Sequence, residues 1–165
     1  MKKNTLKLQK LVEKFICGEC DVIYDPSGFF YYPDEVIAIT LNDSMADNVV
    51  WKKFLKQTYN FDLTHENLFS ISVLHELGHH FTLDSLSDEE QEQDVVSDAI
   101  LEALKTSGKN EVSFSSEDLQ MIYFNSNREK VATDWAVEMY RANETVMRHW
   151  NQRFNCMIRH YKKKR

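Results

Sequence analysis

Leu6, Leu8, Leu11, Val12, Phe15 and Ile16 recur at mainly helical spacing over residues 4–17, and Gly18 follows. The spacing predicts an amphipathic helix that ends near that glycine. From Asp21 the period shortens. Val22-Ile23-Tyr24, Phe29-Phe30-Tyr31-Tyr32 and the run from Val36 to Leu41 are β-branched or aromatic, and Asp25-Pro26-Ser27-Gly28 and Pro33-Asp34 separate them. About three short strands of a small antiparallel sheet are expected here. Residues 44–59, with Met45, Val49, Val50, Trp51, Phe54 and Leu55, read as a second helix. Thr64 suits an N-cap, with Asn67 three positions on, so a third helix is expected from about His65 to Phe81.

Residues 84–94 are acidic and read as a solvated loop, then the charged start of a helix running on through Val95, Val96, Ile100, Leu101 and Leu104. Residues 105–113, with Gly108, read as a connection. Ser115 and Ser116 can cap a helical stretch over 117–142 that breaks near Asn125-Ser126-Asn127, and residues 145–161 form a last helix. The expectation is an α+β fold: one domain over 1–165, a small antiparallel sheet packed on several helices, a core of about 20–140 and a C-terminal helix with a basic tail over 141–165.

Composition narrows the function classes. Apolar residues are 42% and charged residues 28% of the 165, which suits a soluble globular chain. No apolar run is long enough for a bilayer, and the first residues lack the continuous apolar stretch of a signal peptide, so a cytoplasmic protein is expected. The net charge of −6 speaks against direct nucleic-acid binding. Three cysteines do not suggest a disulfide framework, and Cys17-Gly18-Glu19-Cys20 stands without a second pair, so structural thiols are the expectation over a redox or zinc half-site.

The most informative stretch is residues 71–83, which contains His75-Glu76-Leu77-Gly78-His79. On a helix, histidines four positions apart share a face and can reach one ion. Glu76 is turned by about 100° from His75 and is placed to take a proton from water that a zinc ion has acidified. Val73, Leu74, Leu77, Gly78 and Phe81 are small or apolar, as a buried helix carrying a site requires, and Gly78 implies the close approach of another element. His80 points elsewhere, in a packing or supporting role. His65 is too far along the helix to join the same ion.

A catalytic zinc takes three protein ligands, and no Gly-x-x-His continuation follows His79. An acid from a later helix is the alternative. Glu129 stands out because Val131, Ala132, Trp135 and Ala136 would bury it, with Asp134 and Glu138 as competing choices. Glu129-Lys130-Val131-Ala132-Thr133-Asp134-Trp135-Ala136, following the HELGH segment, resembles the ImmA/IrrE family of metallopeptidases, in which a Glu-x-x-Ala-Asn-x-Phe-Ala segment follows HELGH. Thr133 stands where that family tends to have Asn, and Trp135 where it has Phe. The resemblance covers roughly residues 20–140, and a long acidic segment from Asp84 to Ser116 separates the two motifs.

The resemblance implies a minimal zincin-like domain with His75, His79 and Glu129 as zinc ligands and Glu76 as general base. With Thr133 in the Asn position, Asp134 would be the residue to support a ligand histidine. It also implies a peptidase that cuts a protein partner, a helix-turn-helix repressor of a mobile element or stress response, and Tyr123, Tyr140 and His149 are open candidates for oxyanion donor. A contrasting expectation is a binding module with structural zinc that sequesters a repressor without cutting it.

Overall fold

The computed structural model describes residues 2–41, 49–106 and 115–162. The chain runs α1 (Lys2–Phe15), β1 (Asp21–Tyr24), β2 (Phe30–Tyr32), β3 (Val36–Ile39), α2 (Val49–Tyr59), α3 (Leu68–Thr82), α4 (Asp88–Thr106), α5 (Ser116–Phe124), α6 (Asn127–Ala142) and α7 (Glu144–Lys162), with a 3-10 turn at Leu83–Ser85. This is the expected α+β class. Residues 44–48 of the second expected helix, most of the 105–113 connection and the last three residues of the basic tail lie outside the described residues.

The sheet is mixed, which corrects the antiparallel expectation. Its order is β1-β3-β2, with β1 parallel to β3 and β2 antiparallel to it. Strands two places apart in a sheet are about 10 Å apart, a gap that residues 25–29 can span at about 3.3 Å per residue. β2 is thus laid down on the far edge, and the chain returns between the two earlier strands. The return is tight: Tyr32 pairs with Val36 across a three-residue loop whose last residue, Glu35, sits at φ 60°. Gln9 of α1 donates through Nε2 to Val22 O at 3.0 Å, which occupies an acceptor on the outer strand β1.

α3 is the central element. Phe69 through Gly78 are all buried, so this helix is covered on every side rather than amphipathic. One apolar cluster joins α1, the sheet, α3 and α7 through residues such as Val12, Ile37, Val73 and Phe154. A second joins α2, α3, α6 and α7 through Phe54, Leu55, Ile71, Val137 and Met147. The helix begins at Leu68, later than expected. Thr64 and Asn67 instead close a turn ahead of it, Thr64 N donating to Asn67 Oδ1 at 2.7 Å and Asn67 N to Thr64 Oγ1 at 3.4 Å. The two residues bond reciprocally as in a capping box, but Thr64 stands three residues before Asn67, which occupies the N-cap position.

Gly78 shows why α3 and α6 can meet so closely. A Cβ at this position would stand 2.4 Å from the main-chain oxygen of Ala132, a separation that a real side chain essentially never adopts. The glycine lets the two backbones touch. The α5–α6 break falls where it was expected, and α5 begins in a capping box between Ser115 and Asp118.

A candidate metal centre

α3 delivers His75, Glu76 and His79, and α6 delivers Glu129 from its first turn. Both carboxylate oxygens of Glu129 face the imidazoles: Oε2 lies 3.1 Å from His75 Nε2 and Oε1 3.5 Å from His79 Nε2. One donor atom from each of the three residues falls within 4.8 Å of the others. Ligands 2.0–2.1 Å from a tetrahedral zinc are about 3.3 Å apart, and two imidazole nitrogens with one carboxylate are a zinc donor set. The residues fit the ion on both counts.

Thr133, one turn after Glu129, supports the first histidine. Its hydroxyl donates to Glu129 O at 2.7 Å, which leaves the oxygen free to accept from His75 Nδ1–H at 3.1 Å. That bond occupies Nδ1, so Nε2, which faces Glu129, is the nitrogen left for a metal. Thr133 therefore fills the supporting role itself, and the expectation for Asp134 is corrected: Asp134 instead acts on the buried Tyr59 phenol, which burial and this carboxylate push up. Glu138 is exposed on the outer side of α6 and takes no part.

The electrostatics separate the acids into two roles. Burial alone would raise Glu129, but its hydrogen bond to His75 and the charges of His75 and His79 hold it down at about 2. Burial pushes Glu76 the other way, to about 7; His75 opposes the rise, Glu129 adds to it, and the backbone N–H of Tyr31 opposes it again. Burial and then His75 push His79 down to about 4, which favours the neutral imidazole that a metal needs.

A cleft of about 590 Å³ opens over these groups. His75, Glu76, His79 and Glu129 form its floor, Phe29, Phe30, Tyr31 and Pro33 one side, and Tyr123, Phe124 and Arg128 the other. The edge strand β2 therefore borders the cleft, and Tyr31 packs face to face with His79 at 6.4 Å. His80 is 3.2 Å from the Tyr31 hydroxyl, so it ties β2 to α3 as a supporting residue. His65 lies in the turn before α3 beside Lys52 and Leu63, away from the centre.

Of the three possible oxyanion donors, one reaches the cleft. Tyr123 lines it, and burial followed by the nearby Glu129 carboxylate pushes its phenol up. Tyr140 accepts from Asn151 Nδ2 at 2.7 Å in a buried network that also includes Ser70. His149 packs on Trp150 of α7. Cys20 is buried and raised to about 11, first by burial and then by Glu35, whereas Cys17 is exposed. A thiol raised so far is a poor nucleophile and a poor ligand, in keeping with a packing role.

The acidic segment does more than the sequence suggested. Asp94 of α4 is buried and accepts from Asn127 N through Oδ1 and from Arg128 N through Oδ2, each at 2.8 Å. Ser126, at the N-cap position of α6, makes no side-chain capping bond, so α6 is capped from another helix. Asp98 holds Arg128 at 2.8 Å, and Glu90 O accepts from Asn127 Nδ2 at 3.2 Å. These contacts fix the turn that carries Glu129. Nothing in the sequence signalled this, since Ser126-Asn127-Arg128-Glu129 has the Ser-x-x-Glu spacing of a helix that caps itself.

No protein-family model matches the chain, and no curated protein or solved structure matches it either. Among the described residues, no helix is long and apolar enough to cross a membrane.

Proposed function

We propose that the chain is a zinc-dependent endopeptidase of the zincin type, related to the ImmA/IrrE peptidases that its two motifs resemble, acting on a protein partner in the cytoplasm. The observation that carries this reading is the convergence of His75, His79 and Glu129 beside a buried Glu76 on the floor of one open cleft. His75, His79 and Glu129 would hold the ion. A zinc ion supplies Lewis acidity there, polarising a carbonyl and acidifying water.

Glu76 takes the proton from the attacking water and returns it to the leaving amine; burial beside the cleft raises the basicity of its carboxylate for the first transfer. Tyr123 donates from the cleft wall to the developing oxyanion. Thr133 keeps His75 in its working tautomer. The outer edge of β2, where the Tyr31 N–H meets Glu76, lies along the cleft and offers main-chain groups to an extended peptide, and the aromatic side chains around it exclude water. The partner class implied by the resemblance is a helix-turn-helix repressor.

The test is elemental analysis of the purified chain, then incubation with a candidate helix-turn-helix repressor and mass spectrometry of the products. About one zinc per chain and a single cut are expected. Glu76→Gln should retain the metal and slow cleavage by about 10²–10⁴-fold. Release of the repressor's genes by the Glu76→Gln chain would favour sequestration over cleavage, and purification without metal under loading conditions would remove the peptidase reading.

A further inference from the structure

α4 has one side that the metal centre uses and one that it does not. Asp94, Asp98 and Leu101 face inward, to the cap of α6, to Arg128 and to the core. Helical spacing puts Asp88, Glu89 and Glu92 on the opposite side, followed by Val95, Val96, Ala99 and Ile100 on that same side. Val95, Val96 and Ile100 are 69%, 58% and 51% exposed. A surface helix ordinarily carries polar residues at such positions. Here the outward face is acidic in its first half and apolar in its second, with no basic residue among these seven.

Charge decides what can cover it. α4 contains seven acids and one lysine, and the resulting −6 equals the net charge of the whole chain. The rest of the sequence sums to zero, and of the acids of this helix Asp88, Glu89 and Glu92 stand on the outward face. A second copy would bring the same acidic face against it, and an anionic lipid surface would be repelled. A helix with an apolar stripe flanked by lysine or arginine satisfies both halves at once.

We propose that the outward face of α4 is a docking site for a basic amphipathic helix of the protein partner. This rests on the reading that the chain acts on a protein. The site is well placed for that use: α4 holds the first turn of α6, where Glu129 sits, and Leu83, just ahead of α4, lies in the cleft lining. A partner anchored there has its neighbouring segments held at high local concentration beside β2 and the metal centre.

The test uses the full-length Glu76→Gln chain and a fluorescent synthetic helix with a leucine seam flanked by lysines, beside a twin with glutamate in place of lysine. Anisotropy should show binding of the lysine helix only, weakening with added salt. The double variant Val96→Lys/Ile100→Lys should bind it at least about tenfold less tightly, and Glu89→Gln/Glu92→Gln should bind more weakly and with a shallower salt dependence. The substituted positions are exposed, so melting temperatures should be unchanged.

Equal affinity for the two helices, or no effect of the Val96/Ile100 pair, would overturn the proposal. So would a dimer in sedimentation that this pair dissolves, or binding to phosphatidylglycerol vesicles that it abolishes. Zinc content and hydrolysis of an unstructured peptide, measured on the same substitutions with Glu76 restored, read the peptidase separately. Intact zinc and hydrolysis with failed docking would sink the docking face alone.

Discussion

His75 and His79 reach the centre together, one turn apart on a helix buried along most of its length, whereas Glu129 arrives 54 residues after His75 on a helix whose start is capped by another element. The first half of the site is set by helix geometry. Any sequence that keeps α3 helical keeps the two imidazoles on one face. The second half is set by tertiary contacts: Gly78 against Ala132 fixes the distance between α3 and α6, Asp94 and Asp98 fix the first turn of α6, and Thr133 joins the halves through His75 Nδ1. The difference teaches that a metal site can be locally encoded on one side and globally encoded on the other, with the two sides failing in different ways.

The largest effect should come from closing the gap between the helices. Gly78→Ala places a methyl group where Ala132 O already lies, and overpacking of this kind costs about 1–3 kcal/mol or more. Denaturant titration should show that loss, and zinc affinity should fall with it because Glu129 is carried away from both histidines. Stability lost with zinc affinity unchanged would mean that the α3–α6 contact does not set the ligand distance.

Comparable in size is a pH effect confined to Glu76. Its folded value near 7 lies above the ordinary carboxylate value of 4.5, so the folded state holds a proton that the unfolded state has released between those limits. The stability from this group is fully present below 4.5 and is lost as pH rises through 7. Metal-free Glu76→Gln should therefore be more stable than the parent at pH 8, by about 3 kcal/mol at most, and equal to it near pH 4. Parallel stability curves for the two proteins across that range would show that burial does not hold the proton on Glu76.

Thr133→Val keeps the shape but removes the acceptor for His75 Nδ1–H. Loss of such a support typically weakens metal binding by about 10–100-fold, and competition with a chromophoric chelator would measure it. Thr133→Ser should restore most of the affinity. The smallest change is expected for Asp94→Ala, which leaves the N–H groups of Asn127 and Arg128 without their cap and costs about 1 kcal/mol. Its mark should be a weaker zinc site in which both histidines still bind. An intact affinity would show that α6 starts correctly without α4.

The order of elements was legible because hydrophobic period and turn residues act locally. The switch to β-branched and aromatic runs at Asp21, the break at Asn125–Asn127 and the amphipathic ends of the chain all stand where the pattern put them. The parallel pairing of β1 with β3 was not legible, since a five-residue linker permits either a neighbouring or a far-edge placement and only packing against α1 and α3 chooses. The acidic segment misled for the same reason. Asp94 and Asp98 have the composition of a solvated face, and only their positions opposite the open end of α6 give them partners.

Sequence alone determined the chemistry on offer: an imidazole pair at helical spacing, a carboxylate beside it, a small residue in the turn between, and a later acid among apolar neighbours. These follow from residue type and the 3.6-residue period. Tertiary structure alone decided that Glu129 is the acid that meets both histidines, that Thr133 rather than Asp134 holds the ring of His75, and that Tyr123, not Tyr140 or His149, lines the cleft. Each of those depends on how two helices distant in sequence are spaced and rotated, which is settled by Gly78, by the cap from α4 and by the core that surrounds α3 on every side.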